Sequence, residues 1–171
     1  MLQLVVLCGV LLVVARPAVA EPNPKGVGLG VGLGLSVPWG EIREGTQVRK
    51  LHPNYSWGFY VNIPLISSFH LMPHAELYQL NGNTTATDIG MAFKFIVEGT
   101  KFRPYFGLNI GGTNVISSLR FNAGALLGSS FNLYKNLDAF LEGRYMVIMR
   151  DVPEGGNIRN LHVIGGLLFR F

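Results

Sequence analysis

From Val27 onward the chain alternates with period two. Val27, Leu29, Val31, Leu33, Leu35 and Val37 are aliphatic, and Gly28, Gly30, Gly32, Gly34 and Ser36 fill the places between them. A helix cannot use this pattern, because it needs apolar residues three and four apart and loses about 1 kcal/mol at each interior glycine. A strand can, since successive side chains point to opposite faces. One face here is greasy and the other is nearly bare. A bare face packs poorly against a second sheet, but it makes room inside a narrow closed barrel. Eight strands enclose an interior just wide enough for side chains, so long residues from other walls can cross the space.

Seven further stretches alternate in the same way. Residues 54–64 set Tyr55, Trp57, Phe59, Val61 and Ile63 against Ser56, Gly58, Tyr60 and Asn62. Residues 69–80 set Phe69, Leu71, Ala75 and Leu77 against His70, Met72, His74, Glu76 and Tyr78. Pro73 lies inside that stretch and cannot donate to a ladder, which predicts a bulge or bend there. Residues 84–97 oppose Ile89, Met91, Phe93, Phe95 and Val97 to Asp88, Gly90, Ala92, Lys94 and Ile96. The same division runs through residues 102–113, 118–133, 137–150 and 161–171. Asn81, Gly82 and Asn83 supply hairpin turn chemistry. The longest and least regular connection is predicted over residues 38–53, which carry Glu41, Arg43, Glu44, Arg49 and Lys50.

Residues 1–20 are apolar from Leu2 to Val14 and end in Ala18, Val19 and Ala20, the small-residue pattern of a cleaved signal peptide, although no Lys or Arg precedes the run. The expected division is therefore a signal peptide, 1–20, and a single domain, 21–171. The one cysteine, Cys8, falls in the peptide, so no disulfide can staple the exported domain. Of 14 basic and 10 acidic residues only Arg16 is lost with the peptide, leaving 13 against 10, a mild +3. The basic residues are scattered, which excludes a nucleic-acid footprint.

Eight alternating segments, each long enough to cross a bilayer when tilted, fit an all-β, eight-stranded antiparallel up-and-down transmembrane β-barrel. The segments Phe102-Arg-Pro-Tyr-Phe-Gly and Gly165-Gly-Leu-Leu-Phe-Arg-Phe carry a resemblance to the small outer-membrane barrels typified by the outer membrane protein A transmembrane domain and the opacity-type proteins. The resemblance implies an integral bacterial outer-membrane protein that contacts outer-membrane lipid, but it says little about activity; that the chain has neither cofactor nor enzymatic activity is an expectation from its own residues. The resemblance also implies that Leu167, Phe169 and the closing Phe171 form the assembly signal read by the barrel-assembly machinery. Both termini would then face the periplasm, with residues 38–53 outside the cell as the place for a surface ligand.

Cost fixes which face is inward. A Lys or Arg on the lipid face is unfavourable by roughly 2 to 4 kcal/mol near the midplane. Arg144 falls mid-strand and should point inward, with Glu76, Asp88 and Glu142 at similar depth. Lys94, Glu98, Arg103, Asp138 and Arg170 should gather nearer the periplasmic turns. The expectation is a polar, largely plugged lumen in which Arg144 reaches Glu76 or Asp88 across the space left by the glycines at 28–34. His70, His74 and Glu76 share a face, but two histidines and a carboxylate with no further convergent ligand are a weak signal, so no metal site is expected. His162 points inward, away from any outward serine, against lipid-directed nucleophilic catalysis. Two alternatives remain: a narrow pore for small solutes, and a soluble lipocalin-like barrel with apolar residues inward.

Overall fold

The computed structural model describes residues 26–44, 46–81, 84–97, 101–115, 118–150 and 156–171. The expected signal peptide and Glu98 lie outside the described residues. Ten strands follow in order: β1 (Gly28–Trp39), β2 (Glu41–Glu44), β3 (Gln47–Lys50), β4 (Asn54–Ile66), β5 (Phe69–Asn81), β6 (Thr84–Ile96), β7 (Phe102–Val115), β8 (Ser118–Tyr134), β9 (Leu137–Ile148) and β10 (Ile158–Arg170). All but β2 and β3 close into one antiparallel barrel in the order β1-β10-β9-β8-β7-β6-β5-β4. The seam joins the first strand to the last, with Gly28 opposite Arg170 and Trp39 opposite Arg159. Beyond it the Phe171 amide donates to the Val27 carbonyl at 2.9 Å. This end is called the terminal end below, and the opposite one the hairpin end.

The stagger of the barrel can be followed through its paired residues. From Ile148 on β9 the path runs through Asn122, Gly111, Gly90, His74, Tyr60, Gly30 and Leu168. It returns to β9 at Asp138, ten residues below its start. With about 3.3 Å per residue and about 4.8 Å between strands, that shear tilts the strands by roughly 40°.

The two faces carry opposite chemistry. Leu33, Leu119 and Tyr55 are 74%, 75% and 78% exposed on the outside, whereas Arg144 and Asp88 are 0% exposed within. A soluble ligand-binding barrel needs the reverse, so the lipocalin-like alternative does not describe this molecule. Aromatic rings mark both edges of the outer face: Trp39, Tyr55 and Trp57 at the hairpin end, and Phe102, Phe131, Tyr134, Phe169 and Phe171 at the terminal end.

Two local expectations are corrected. Residues 38–53 are not an irregular loop, because β1 continues to Trp39 and β2 and β3 form a separate two-stranded sheet with Glu41 opposite Lys50. Pro73 makes no bulge. It sits opposite Met91 in unbroken register with β6, and the pairing with β4 passes from Tyr60–His74 to Ile63–Leu71 without a shift. A missing donor interrupts a ladder bond without requiring an extra residue.

Candidate functional site

The shape of the lumen follows from where the glycines fall. β1 and β7 stand opposite each other, as do β9 and β5, which are separated by β8, β7 and β6 one way and by β10, β1 and β4 the other. Glycines line β1 and, across from it, β7 and β8 at Gly107, Gly111, Gly124 and Gly128. Long side chains come from the two remaining walls and extend over this bare floor. A methyl group at Gly32 would lie 2.9 Å from both Ile164 and Tyr60, and one at Gly128 would lie 2.7 Å from the Tyr105 ring. The first strand's glycines thus make room for Tyr60, Ile164, Phe140 and Leu168, and not for Arg144 as expected. Tyr60 from β4 and Ile164 and Leu168 from β10 take that space because both strands flank β1 directly, and Phe140 reaches it from β9.

Arg144 occupies the centre and is fully buried. Its Nη1 donates to Glu76 Oε1 at 2.6 Å, spanning the barrel from β9 to β5. Its Nη2 donates to Glu142 Oε1, also at 2.6 Å. Lys94 Nζ donates to Glu142 Oε2 at 2.5 Å, and the Tyr105 hydroxyl donates to the same oxygen at 3.0 Å. Glu76 receives the Tyr60 hydroxyl at 3.1 Å and faces His162 Nδ1 at 3.0 Å. His162 Nε2 meets the Asn160 amide, and Asn160 Oδ1 accepts from Ser36 Oγ at 3.0 Å. The contacts require Nδ1 of His162 to donate and Nε2 to accept. A single hydrogen-bonded chain therefore runs Ser36–Asn160–His162–Glu76–Arg144–Glu142–Lys94, and its two cations match its two carboxylates. Buried charges persist when paired and hydrogen-bonded in this way.

Asp88 does not reach Arg144. It accepts from Thr113 Oγ1 at 2.9 Å and from the Asn122 amide, and it faces His74 Nε2 at 3.1 Å. A third group lies at the terminal end, where Arg103 Nη2 donates to Asp138 Oδ2 at 2.7 Å and Arg170 pairs with the same carboxylate. Lys94 was expected in this lower group and instead joins the central one. Its displacement is a consequence of the shear: pairing carries Glu142 through Gly128 and Tyr105 to Ile96, two residues from Lys94.

Apolar layers alternate with these polar ones. Tyr60, Met72, Tyr105, Leu126, Phe140 and Leu168 belong to a cluster between the central and terminal groups. At the hairpin end Tyr78, Leu80, Val115, Met146, Ile148 and Ile158 form another, and Ile42 of β2 drops into it with no exposed surface. The hairpin is held by the Arg150 guanidinium donating to the Glu41 carbonyl at 3.1 Å, and the chain leaving it by the His52 amide donating to Leu80 at 2.9 Å. Gly40, with φ 131°, supplies the turn from β1 into β2 that a side chain would resist. Sequence reasoning missed Ile42. Its signal was a lone isoleucine in a polar stretch.

His70, His74 and Glu76 go to separate partners: His70 to Asn62 and Ser67, His74 to Asp88, and Glu76 to Arg144. Among the described residues no group of three metal-ligating side chains converges.

No protein-family model matches the chain, and no curated protein matches it. Solved structures do. Neisserial surface protein A superposes with a TM-score of 0.64 at 16% identity, covering 85% of this chain and 97% of that one. The outer membrane protein OprG from Pseudomonas aeruginosa gives 0.54 at 12% identity, covering 89% and 97%. A de novo designed transmembrane β-barrel gives 0.50 at 14% identity, covering 88% and 99%. The chain has the fold of the small eight-stranded outer-membrane barrels.

Proposed function

We propose that this chain is a non-enzymatic integral protein of the bacterial outer membrane whose lumen is closed, and that it acts through its structure and its exposed end and not as a channel. The observation that carries the reading is the central chain of buried charges, in which Arg144 ties Glu76 to Glu142 across the full width of the barrel. A permeating ion would have to separate pairs whose isolated members each cost several kcal/mol in such a site. The Ile42 plug adds a dry layer above them. In this reading the hairpin end faces outward from the cell, residues 1–20 direct export, and Leu167, Phe169 and Phe171 mark the closing strand for the barrel-assembly machinery. The β2–β3 hairpin, with Glu41, Arg43, Val48 and Lys50 exposed, is the surface for an external ligand.

Planar-bilayer recording of the folded barrel tests the closure. The expected trace shows no stable unitary conductance, and a steady large one would overturn the reading in favour of a pore. Unaltered lipid A in mass spectra after overexpression is the outcome expected of a non-enzyme.

A further inference from the structure

The outward sets of the eight barrel strands are made of aliphatic, aromatic, small and uncharged polar residues with one exception. Among the described residues Arg159, the second residue of β10, is the single charged side chain on the outer wall. It is exposed, and no described residue engages its guanidinium in an ion pair or side-chain hydrogen bond. By contrast Arg43, on the hairpin, is paired with Glu41 at 3.3 Å. Arg159 stands opposite Trp39 of β1 and opposite Val147 of β9. Toward the terminal end its strand continues outward with Leu161, Val163, Gly165, Leu167 and Phe169. From Leu161 to Phe169 is about 26 Å along the strand, or about 20 Å of height at a 40° tilt, close to the apolar band of such barrels. Arg159 therefore sits just past the edge of that band, beside an indole placed where amphipathic rings favour the headgroup level.

We infer that Arg159 and Trp39 form a binding site for the phosphate of a lipid headgroup in the leaflet at the hairpin end. The inference rests on the membrane-spanning reading above. A guanidinium offers a planar fork of donors to phosphate oxygens, while the indole and the neighbouring Leu161 and Val147 cover the upper acyl chain. The occupant is a lipid and not a free anion because one cation on a greasy wall gives a soluble phosphate a single contact and leaves the surrounding apolar surface uncovered.

The test reconstitutes the full chain into vesicles of equal phosphatidylglycerol and phosphatidylcholine, extracts it gently, and counts retained lipids by native mass spectrometry. Unaltered protein should retain phosphatidylglycerol about fivefold over phosphatidylcholine, the scale of one basic residue at an anionic surface. Arg159→Gln should bring the ratio to parity with heat-modifiable migration unchanged, and Arg159→Lys should keep at least half of the preference. Parity in the unaltered protein, an unchanged ratio in Arg159→Gln, or parity in Arg159→Lys would overturn the site. Loss of the preference in excess inorganic phosphate would overturn the assignment to lipid. Failure of the unaltered chain to float with the vesicles would instead overturn the membrane reading itself.

Discussion

On the proposed reading of a closed lumen, its two ends are closed by opposite means. At the terminal end the closure is ionic and comes from the barrel strands themselves, with Arg103 of β7 and Arg170 of β10 meeting Asp138 of β9. At the hairpin end the closure is apolar, and its central piece, Ile42, is carried by a strand outside the closed ladder. The ionic closure can be lost only by distorting the barrel. The apolar one can be lifted by moving a hairpin while every barrel strand stays paired. Stability and accessibility are thus separated along one axis, with the adjustable closure at the end proposed to face outward.

Breaking the terminal closure should have the largest effect. Asp138→Leu leaves the buried Arg103 guanidinium without its carboxylate and is expected to destabilise the barrel by about 3 to 5 kcal/mol, seen as a lower urea midpoint in vesicles. A shift under about 1 kcal/mol would mean that the terminal end is wet enough to solvate the charge. Next comes the plug. Ile42→Ala is expected to weaken hairpin docking by about 2 to 3 kcal/mol. Here faster amide exchange should be confined to β2, β3 and the His52 amide, with the barrel midpoint nearly unmoved. If the midpoint falls as far as in Asp138→Leu, the hairpin is integral to the barrel and the contrast between the ends disappears.

A smaller loss, about 1 to 2 kcal/mol, is expected for Gly32→Val, whose side chain meets Ile164 and Tyr60 between the two closures. Thermal melts would register it, and an unchanged melt would show that the layer has slack. Smallest is Arg43→Ala, within about 0.5 kcal/mol because its ion pair with Glu41 is exposed. Hairpin exchange rates matching the unaltered protein would confine the holding force to Ile42 and the backbone anchors.

The barrel was legible because alternation is a local property, and the same rule gave the facing of every strand and the burial of Arg144 and His162. Partnership across the lumen was not. Lys94 meets Glu142 because a stagger of ten residues brings level positions that a flat listing of strands holds apart, while Asp88 meets Thr113, its register partner on β7, and Asn122 one strand further on, pairings that depend on a register alternation does not give. Alternation says which side a residue faces and nothing about its height. The hairpin was hidden for a different reason: four-residue strands are too short for a periodic signal, and the one residue that matters, Ile42, is a lone apolar letter among charged ones.

The seam between β1 and β10 has a consequence for the order of assembly. Ser36 and Asn160 bond across it although 124 residues separate them in the chain. Bringing such distant points together costs roughly 4 kcal/mol of loop entropy, whereas neighbouring strands meet through tight turns. β1 has little to offset that cost from within, since its inner face is glycine from Gly28 to Gly34. Each barrel strand from β1 through β4 to β10 can zip onto the next by nearest-neighbour contact, leaving the β1–β10 seam as the one pairing that must span the chain. Closure is then the slow, late event of folding, and it waits until the whole chain has emerged.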